Sequence, residues 1–474
     1  MVNPNGSRSS SDLANRIKNR RARVAIVGLG YVGLPLAVAV AKAGFRVFGV
    51  DMDSQKVDSL ARGVSYIGDV PSADVASLVQ SGVFSSSDDM ATLSRVHIVV
   101  ICVPSPVTHN KAPDISYITT AAEQISTRLA SGQLVILQST TYPGTTEEDV
   151  RPILEASGLK AGTDFHLAFS PERINPGDRV YSIFNTPKVV GGVTPECSEL
   201  ARQLFSAIYG KVHVVSSPRA AEMTKLLENI FRSVNIALVN ELAMLCERMG
   251  MNVWEVIEAA STKPFGYMAF SPGPGVGGHC IPVDPFFLLA KAREFDFHTK
   301  FIQLAAEINE SMPQHTVGKV ADALNSRGKP LRDSTVLVLG VSYKADVEDP
   351  RNSPAARIMR LLIDAGAQVI YNDPYVPVFR PSNDGSHPDP NCPNLQSVDL
   401  TDKLLDSADC VLIVTAHSCY DMERIVGQAS LVVDACNGTG GVDVTNSKVF
   451  RLGVGHCAAT TLSSPISVPA RVGG

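Results

Sequence analysis

The sequence predicts an α/β protein with an N-terminal Rossmann domain, a central helical domain and a C-terminal Rossmann-like α/β domain. Three observations carry that expectation. Short apolar runs alternate with helical patterns in the first half, the middle turns helical, and the last third returns to alternation. A length of 474 residues exceeds one ordinary core, so two or three domains are expected. A glycine-rich turn joins the first apolar run to the first helical pattern, which is where such folds bind dinucleotides.

The elements follow in order. Val24 to Gly28 (VAIVG) is a short apolar run ending in glycine, and Leu34 to Ala43 is rich in alanine and valine and reads as a helix. Arg46 to Asp51, Val96 to Val103 and Leu134 to Gln138 are further strands, which together imply a parallel, doubly wound sheet. From Pro218 to Gly250 the apolar positions Leu226, Leu227, Ile230, Val234, Ala237 and Leu238 recur at helical spacing, and Phe301 to Ser326 repeats the pattern. This helical middle is a natural place for contacts between subunits. Thr335 to Gly340, Gln368 to Tyr371, Asp409 to Thr415 and Leu431 to Asp434 read as strands, with a helix over Pro354 to Ala365. The segment Pro377 to Pro393 is rich in Pro, Asn, Asp and Gly and is expected to be a surface loop.

Composition excludes several function classes. Hydrophobic residues at 45% and charged residues at 19% fit a soluble globular protein. A formal net charge of −5 provides no electrostatic footprint for nucleic acid or for a membrane surface. Nine cysteines do not form a disulfide framework in a chain this long, and Cys102 and Cys410 sit in strand-like runs as small buried hydrophobes. A reduced, cytoplasmic setting is expected. Residues 1–22 carry no apolar stretch of a secretory signal. Their basic cluster, Arg16, Lys18, Arg20 and Arg21 with Arg23 just beyond, is expected to lie in a solvated tail. No run is long and apolar enough to suggest a spanning helix.

Gly28-Leu29-Gly30-Tyr31-Val32-Gly33 is a G-x-G-x-x-G directly after a strand and before a helix. Its glycines allow a tight turn and close approach of backbone to a pyrophosphate, which the helix N-terminus favours. The next strand ends in Asp51, whose carboxylate would accept from ribose hydroxyls and repel a 2′-phosphate, so NAD is expected over NADP.

Cys280 lies in SPGPGVGGHCIPVDP, a segment dense in glycine and proline, with Asp284 four residues on. Glycine-rich backbone marks close approach to a ligand. Composition alone leaves a catalytic or a structural cysteine open, as it does a thiol-activating or a structural His279. Glu222, Lys225 and Asn229 share a helix face, either as an ordinary polar stripe or as part of a site; Asn229 amid LLENIF favours the second. Ser139-Thr140-Thr141 and Ser170-Pro171-Glu172-Arg173 each follow an apolar run, at the ligand edge of such a sheet.

These motifs, in order GLGYVGLP, Asp51, VPSP, STTYPG, SPER, EMTKLLEN, GGHC with Asp284, and GVSYKADVEDPRNSP, resemble the UDP-glucose/GDP-mannose dehydrogenases from about Val24 to Ser463. The resemblance implies an NAD-binding domain (23–215), a central dimerisation domain (216–325) and a UDP-sugar-binding domain (326–474), after a tail of residues 1–22. It implies oxidation of a sugar 6-hydroxyl to a carboxylate with two NAD. Cys280 would be the nucleophile, Lys225 would stabilise oxyanions and Asn229 would orient the substrate. Asp284 would activate a water, Thr140 would lie near the nicotinamide and Glu172 would serve acid/base work. Pro104, Ser105, Thr140 and Arg351 would join the glycine turn and Asp51 in cofactor binding, and Glu172, Arg173, Lys225, Asn229, Gly277 and Lys344 would contact substrate. A UDP-sugar is the expected partner, the chain is expected to be a homodimer or higher homo-oligomer, and no metal is expected.

The segment PERINPGD (Pro171 to Asp178), Val283 where UDP-glucose enzymes carry lysine, and FHTKFIQLAAEINESMP (Phe297 to Pro313) resemble the UDP-N-acetylhexosamine branch. UDP-N-acetylglucosamine is the first expectation; UDP-N-acetylmannosamine and UDP-glucose are alternatives. A two-electron hydroxyacid-type dehydrogenase or an NAD-binding scaffold protein would be the other classes. One departure stands out: Asp434-Ala435-Cys436-Asn437 places Cys436 where the family often has arginine.

Overall fold

A computed structural model describes residues 10–108, 110–173, 185–278, 281–381, 394–442 and 448–455. The chain forms two compact units: Met1–Arg232 with His279–Gln303, and Ser233–Gly278 with Leu304–Gly474.

The first unit is built on an eight-stranded sheet. Its strands are β1 (Arg23–Val27), β2 (Arg46–Val50), β3 (Phe84–Ser87), β4 (Ile98–Ile101), β5 (Leu134–Leu137), β6 (His166–Phe169), β7 (Lys188–Gly192) and β8 (Val212–Val214). They lie in the order β3-β2-β1-β4-β5-β6-β7-β8. The first six strands are parallel in the doubly wound order of a dinucleotide-binding fold. β4 and β5 are buried throughout, as expected of strands covered on both faces. β7 reverses direction against β6, pairing Ala168 with Gly192 and Phe169 with Gly191.

The second unit holds a parallel five-stranded sheet. β9 (Thr335–Leu339), β10 (Gln368–Asn372), β13 (Cys410–Ile413), β14 (Val432–Asp434) and β15 (Val449–Arg451) take the order β10-β9-β13-β14-β15. The strand order changes direction at β9, so the carboxyl end of β9 is its crevice. The long helix Pro218–Met249 and the helix Lys300–Asn325 match the two helical stretches expected from periodicity.

Two expectations are corrected. The segment 1–22 is not only a solvated tail, because Ser10–Lys18 is a helix. Leu13 and Ile17, one helical turn apart, are buried in the core beside Leu200, Leu204 and Phe205. Asp12 and Arg16 pair at 2.9 Å on the outside, so the basic residues conceal a two-residue apolar face. The segment Pro377 to Pro393 is not all surface loop. β11 (Val378–Phe379) pairs antiparallel with β12 (Leu395–Gln396), and Phe379 is buried edge-on against Tyr371. Its residues 382–393 lie outside the described residues.

Candidate functional site

The glycine turn sits between β1 and the helix Gly33–Lys42. Gly28 has φ of +91°, and a Cβ there would stand 2.6 Å from the Cys102 carbonyl oxygen. A Cβ on Gly33 would overlap the Gly28 carbonyl at 1.8 Å, whereas one on Gly30 would meet nothing within 4 Å. The turn is therefore packed tightly on its protein side and open at Gly30, where backbone can approach a ligand. Val32 precedes the helix without a side-chain cap, and the positive end of the helix dipole beside the turn favours an anion. Tyr31 is 44% exposed. Asp51 follows β2, and its carboxylate accepts from Leu29 N at 2.8 Å and Asp53 N at 3.0 Å. The acid thus ties the glycine turn to the end of β2 while remaining half-exposed beside it. Tyr66 adds a bond from its hydroxyl to the Leu29 carbonyl at 2.7 Å, a contribution with no motif to announce it. These residues fit NAD. Pro104 is exposed and Ser105 half-buried after β4, and Ser139 donates to the Val103 carbonyl at 2.7 Å, joining that loop to the end of β5 where Thr140 lies half-buried.

The remaining candidates of the first unit gather along the start of the long helix. Glu222, Lys225 and Asn229 are all buried. Glu222 turns to the loop after β5, where it accepts from Gly144 N at 2.6 Å, Thr146 N at 2.9 Å and the Thr146 hydroxyl at 2.6 Å. Burial pushes its carboxyl up to about 7 against the pull of those three donors. It anchors the STTYPG turn to the helix. Lys225 and Asn229 instead belong with Asp284, the first residue of the helix Asp284–Arg293. Asn229 Nδ2 donates to Asp284 Oδ2 at 2.5 Å. Burial raises the Asp284 carboxyl to about 6, with the Lys225 charge and the Asn229 bond opposing it. A carboxylate titrating there is basic enough to take a proton and ionised near neutrality.

Glu172 follows β6 and is buried. Its Oε2 accepts from Gln138 Nε2 at 2.7 Å and from Lys188 Nζ at 3.1 Å. Arg173 pairs with Glu228 at 2.6 Å and donates to the Pro187 carbonyl at 2.6 Å, with its side chain partly exposed. Lys188 and Gln138 were not among the expected site residues. His279 and Cys280 lie outside the described residues.

In the second unit the segment 341–354 leaves the carboxyl end of β9. Gly340, at φ of +78°, lies so close to the Thr415 carbonyl that a Cβ would be 2.2 Å away. Asp373 accepts from Val341 N at 2.7 Å and Ser342 N at 3.0 Å, and is 3.0 Å from His417 Nε2. Asp346 N donates to His417 Nδ1 at 2.9 Å, so the proton of a neutral imidazole sits on Nε2, facing Asp373. Lys344 is half-buried on this segment, and Arg351 is braced by Asp349 at 2.9 Å. The segment also grips the glycines that precede His279. Asn352 Nδ2 donates to the Gly278 carbonyl at 3.1 Å, and a Cβ on Gly277 would stand 2.8 Å from Tyr343 Cβ. Gly277 therefore has a packing reason to lack a side chain.

Cys436 is half-buried, with its thiol 3.8 Å from Asp434 Oδ1, and burial beside that carboxylate pushes its pKa up. Asp434 accepts from Cys436 N, Gly438 N and Thr439 N, closing the turn after β14. Arg451 of the neighbouring β15, in register with Asp434, donates to the Thr439 hydroxyl at 2.9 Å.

A six-strand doubly wound sheet with an open glycine turn and an acid at the end of β2, joined to a buried Asp–Asn pair with a lysine, defines an NAD-dependent oxidoreductase. The chain belongs to the UDP-glucose/GDP-mannose dehydrogenase family: residues 22–209 match its NAD-binding domain, 219–311 its central domain and 337–440 its UDP-binding domain. It is 39% identical over 356 residues to the UDP-N-acetyl-D-glucosamine 6-dehydrogenase of Pseudomonas aeruginosa, covering 75% of this chain and 83% of that one. It is 36% identical over 398 residues to the UDP-N-acetyl-D-mannosamine dehydrogenase of Pyrococcus horikoshii, covering 83% and 89%. A solved UDP-D-ManNAc dehydrogenase from the same archaeon superposes with a TM-score of 0.82 at 32% identity, over 91% of this chain and 99% of that one. The three-domain α/β architecture and NAD-dependent nucleotide-sugar chemistry expected from the motifs are those of the family. No helix among the described residues is long and apolar enough to cross a membrane.

Proposed function

We propose that the protein oxidises the 6-hydroxyl of a UDP-N-acetylhexosamine, UDP-N-acetylglucosamine first, to the 6-carboxylate in the reducing cytoplasm. The observation that carries this reading is Asp284: a buried carboxylate raised toward neutrality, bonded to Asn229 and within the field of Lys225. Two NAD molecules, held in turn at the glycine turn, would each take one hydride per sugar. Asp284, directly or through water, takes the hydroxyl proton as the first hydride leaves carbon 6, giving an aldehyde. The Cys280 thiolate adds to that aldehyde, forming a carbon–sulfur bond and an oxyanion. Lys225 faces each oxyanion with a positive charge, which a dry site makes effective. Loss of the second hydride gives a thioester. Water adds to it, the carbon–sulfur bond breaks, and the carboxylate leaves with the thiolate restored and two protons released to solvent.

The test is NADH formation on a panel of UDP-sugars. UDP-N-acetylglucosamine is expected to give two NADH per sugar; a preference for UDP-N-acetylmannosamine would name the other sugar, and one NADH per sugar would refute the four-electron chemistry. The Cys280→Ser variant is expected to bind substrate but release no acid. Normal turnover by that variant would remove the cysteine from the mechanism.

The protein acts as a homodimer in this proposal. Leu227, Phe231, Leu238, Leu242, Leu245 and Met249 form a stripe along the long helix at spacings of three, four and seven residues, and Leu238 and Met249 are 55% and 61% exposed. So long an apolar stripe marks an interaction surface. The double variant Leu238→Glu, Leu242→Glu is expected to halve the sedimenting mass. An unchanged mass would place the interface elsewhere.

A further inference from the structure

We propose that Lys188 is a positioning residue of the reaction, holding Glu172 as a carboxylate so that Glu172 accepts hydrogen bonds at the sugar and does not donate a proton. This rests on the proposed function and on the place at the substrate that the family resemblance gives Glu172. The geometry follows from the one reversed strand. Residues of β6 and β7 pair as Phe169 with Gly191 and Ala168 with Gly192, and the same register carried three residues further sets Lys188 opposite Glu172. A parallel β7 would have put its first residue at the other edge of the sheet.

The side chains meet there. Lys188 is 1% exposed, and its Nζ is 3.1 Å from Glu172 Oε2. The Phe205 and Tyr209 rings stand 5.3 and 5.1 Å from the same nitrogen, facing a cation buried away from bulk solvent. The second oxygen, Glu172 Oε1, accepts from Arg173 N at 2.8 Å, and Gln138 Nε2 donates to Oε2 at 2.7 Å. Donors on both oxygens favour the ionised carboxylate. They also fix the amide of Gln138, because a flipped amide would turn its oxygen toward the carboxylate. Gln138 Oε1 is thereby left buried with no protein partner, an acceptor available to a ligand hydroxyl or water. Burial pulls the Lys188 ammonium toward neutrality, and the Glu172 carboxylate opposes it, so each group keeps the other charged.

The experiment follows initial NADH formation from UDP-N-acetylglucosamine against pH in Lys188→Met, Lys188→Arg and Glu172→Gln enzymes. Without the ammonium the buried Glu172 protonates more readily, so the acid limb of the Lys188→Met profile is expected to move up by about one pH unit or more. The rate should recover on the alkaline side, and Lys188→Arg should restore the wild-type limb. A slow Glu172→Gln enzyme with an unshifted Lys188→Met profile overturns the role of Lys188 alone. A Glu172→Gln enzyme at the wild-type rate overturns the assignment of Glu172 and, with it, this proposal. Should Lys188→Met fail to fold, the double variant with Glu172→Gln is expected to fold and to melt higher, because it no longer buries a carboxylate that has lost its ammonium. A double variant no more stable than Lys188→Met overturns the pairing.

Discussion

The Asp284→Asn enzyme is expected to lose turnover and gain stability in one step. Loss of the base should lower kcat by about a hundredfold to ten-thousandfold, the range of general-base effects. The gain comes from the same burial that makes the group a base. Asp284 is 2% exposed and its carboxyl is raised from 3.8 to about 6. The folded state therefore holds the proton more tightly than the unfolded chain does. Stability from this group is complete below the unfolded value, near 4, and is lost as pH rises through the folded value of about 6. The ionised carboxylate then costs the fold at most about 3 kcal/mol. An amide in its place keeps an acceptor for Asn229 and carries no charge to desolvate. Melting curves of both enzymes should diverge by a few degrees above pH 6 and converge near pH 4. A variant that melts lower than wild type at pH 8 would sink the argument.

The Lys225→Met enzyme carries the other large effect. Without a cation facing the oxyanions, kcat is expected to fall about a hundredfold to a thousandfold, as when one preorganised donor is removed. The distinctive readout is the pH profile. Lys225 is the first influence holding the Asp284 carboxyl down against burial. Its removal lets that carboxyl rise further above 6, so the acid limb of kcat moves toward alkaline pH and high pH partly restores the rate. A profile that falls uniformly, with its limb unmoved, would show that Lys225 does not act on Asp284.

Much of this was legible in the chain. VAIVG, RVFGVD and LVILQ are apolar runs with a single reading, and their alternation with helices fixes a parallel sheet. β7 was not legible, because KVVGG opens on a charge and ends on two glycines, neither of which favours a strand. The Ser10–Lys18 helix was hidden because two apolar residues among arginines and lysines look like a solvated face. At the site, periodicity placed Glu222, Lys225 and Asn229 together, but spacing could not tell which partner each meets. Glu222 serves the turn at Gly144 to Thr146, while Asn229 meets Asp284. Lys188 had only a faint signal, a charge opening an otherwise apolar run. Its depth comes from the reversed pairing of β7, a long-range feature that no local pattern encodes. The role of Cys280 still rests on its motif and its spacing to Asp284.

The first unit is discontinuous, Met1–Arg232 followed by His279–Gln303, and this sets an order of assembly during synthesis. Its eighth strand ends at Val214, so the whole nucleotide-binding sheet has been translated before the long helix is made. Asn229 then emerges 55 residues ahead of Asp284. At ribosomal speeds of roughly 5–20 residues per second that is a wait of about 3–11 s. During that wait the nascent chain carries every strand of the nucleotide-binding sheet but not the Asp284 carboxylate. A message cut short after the long helix would keep the glycine turn and lose Asp284, separating the cofactor-side residues from the base.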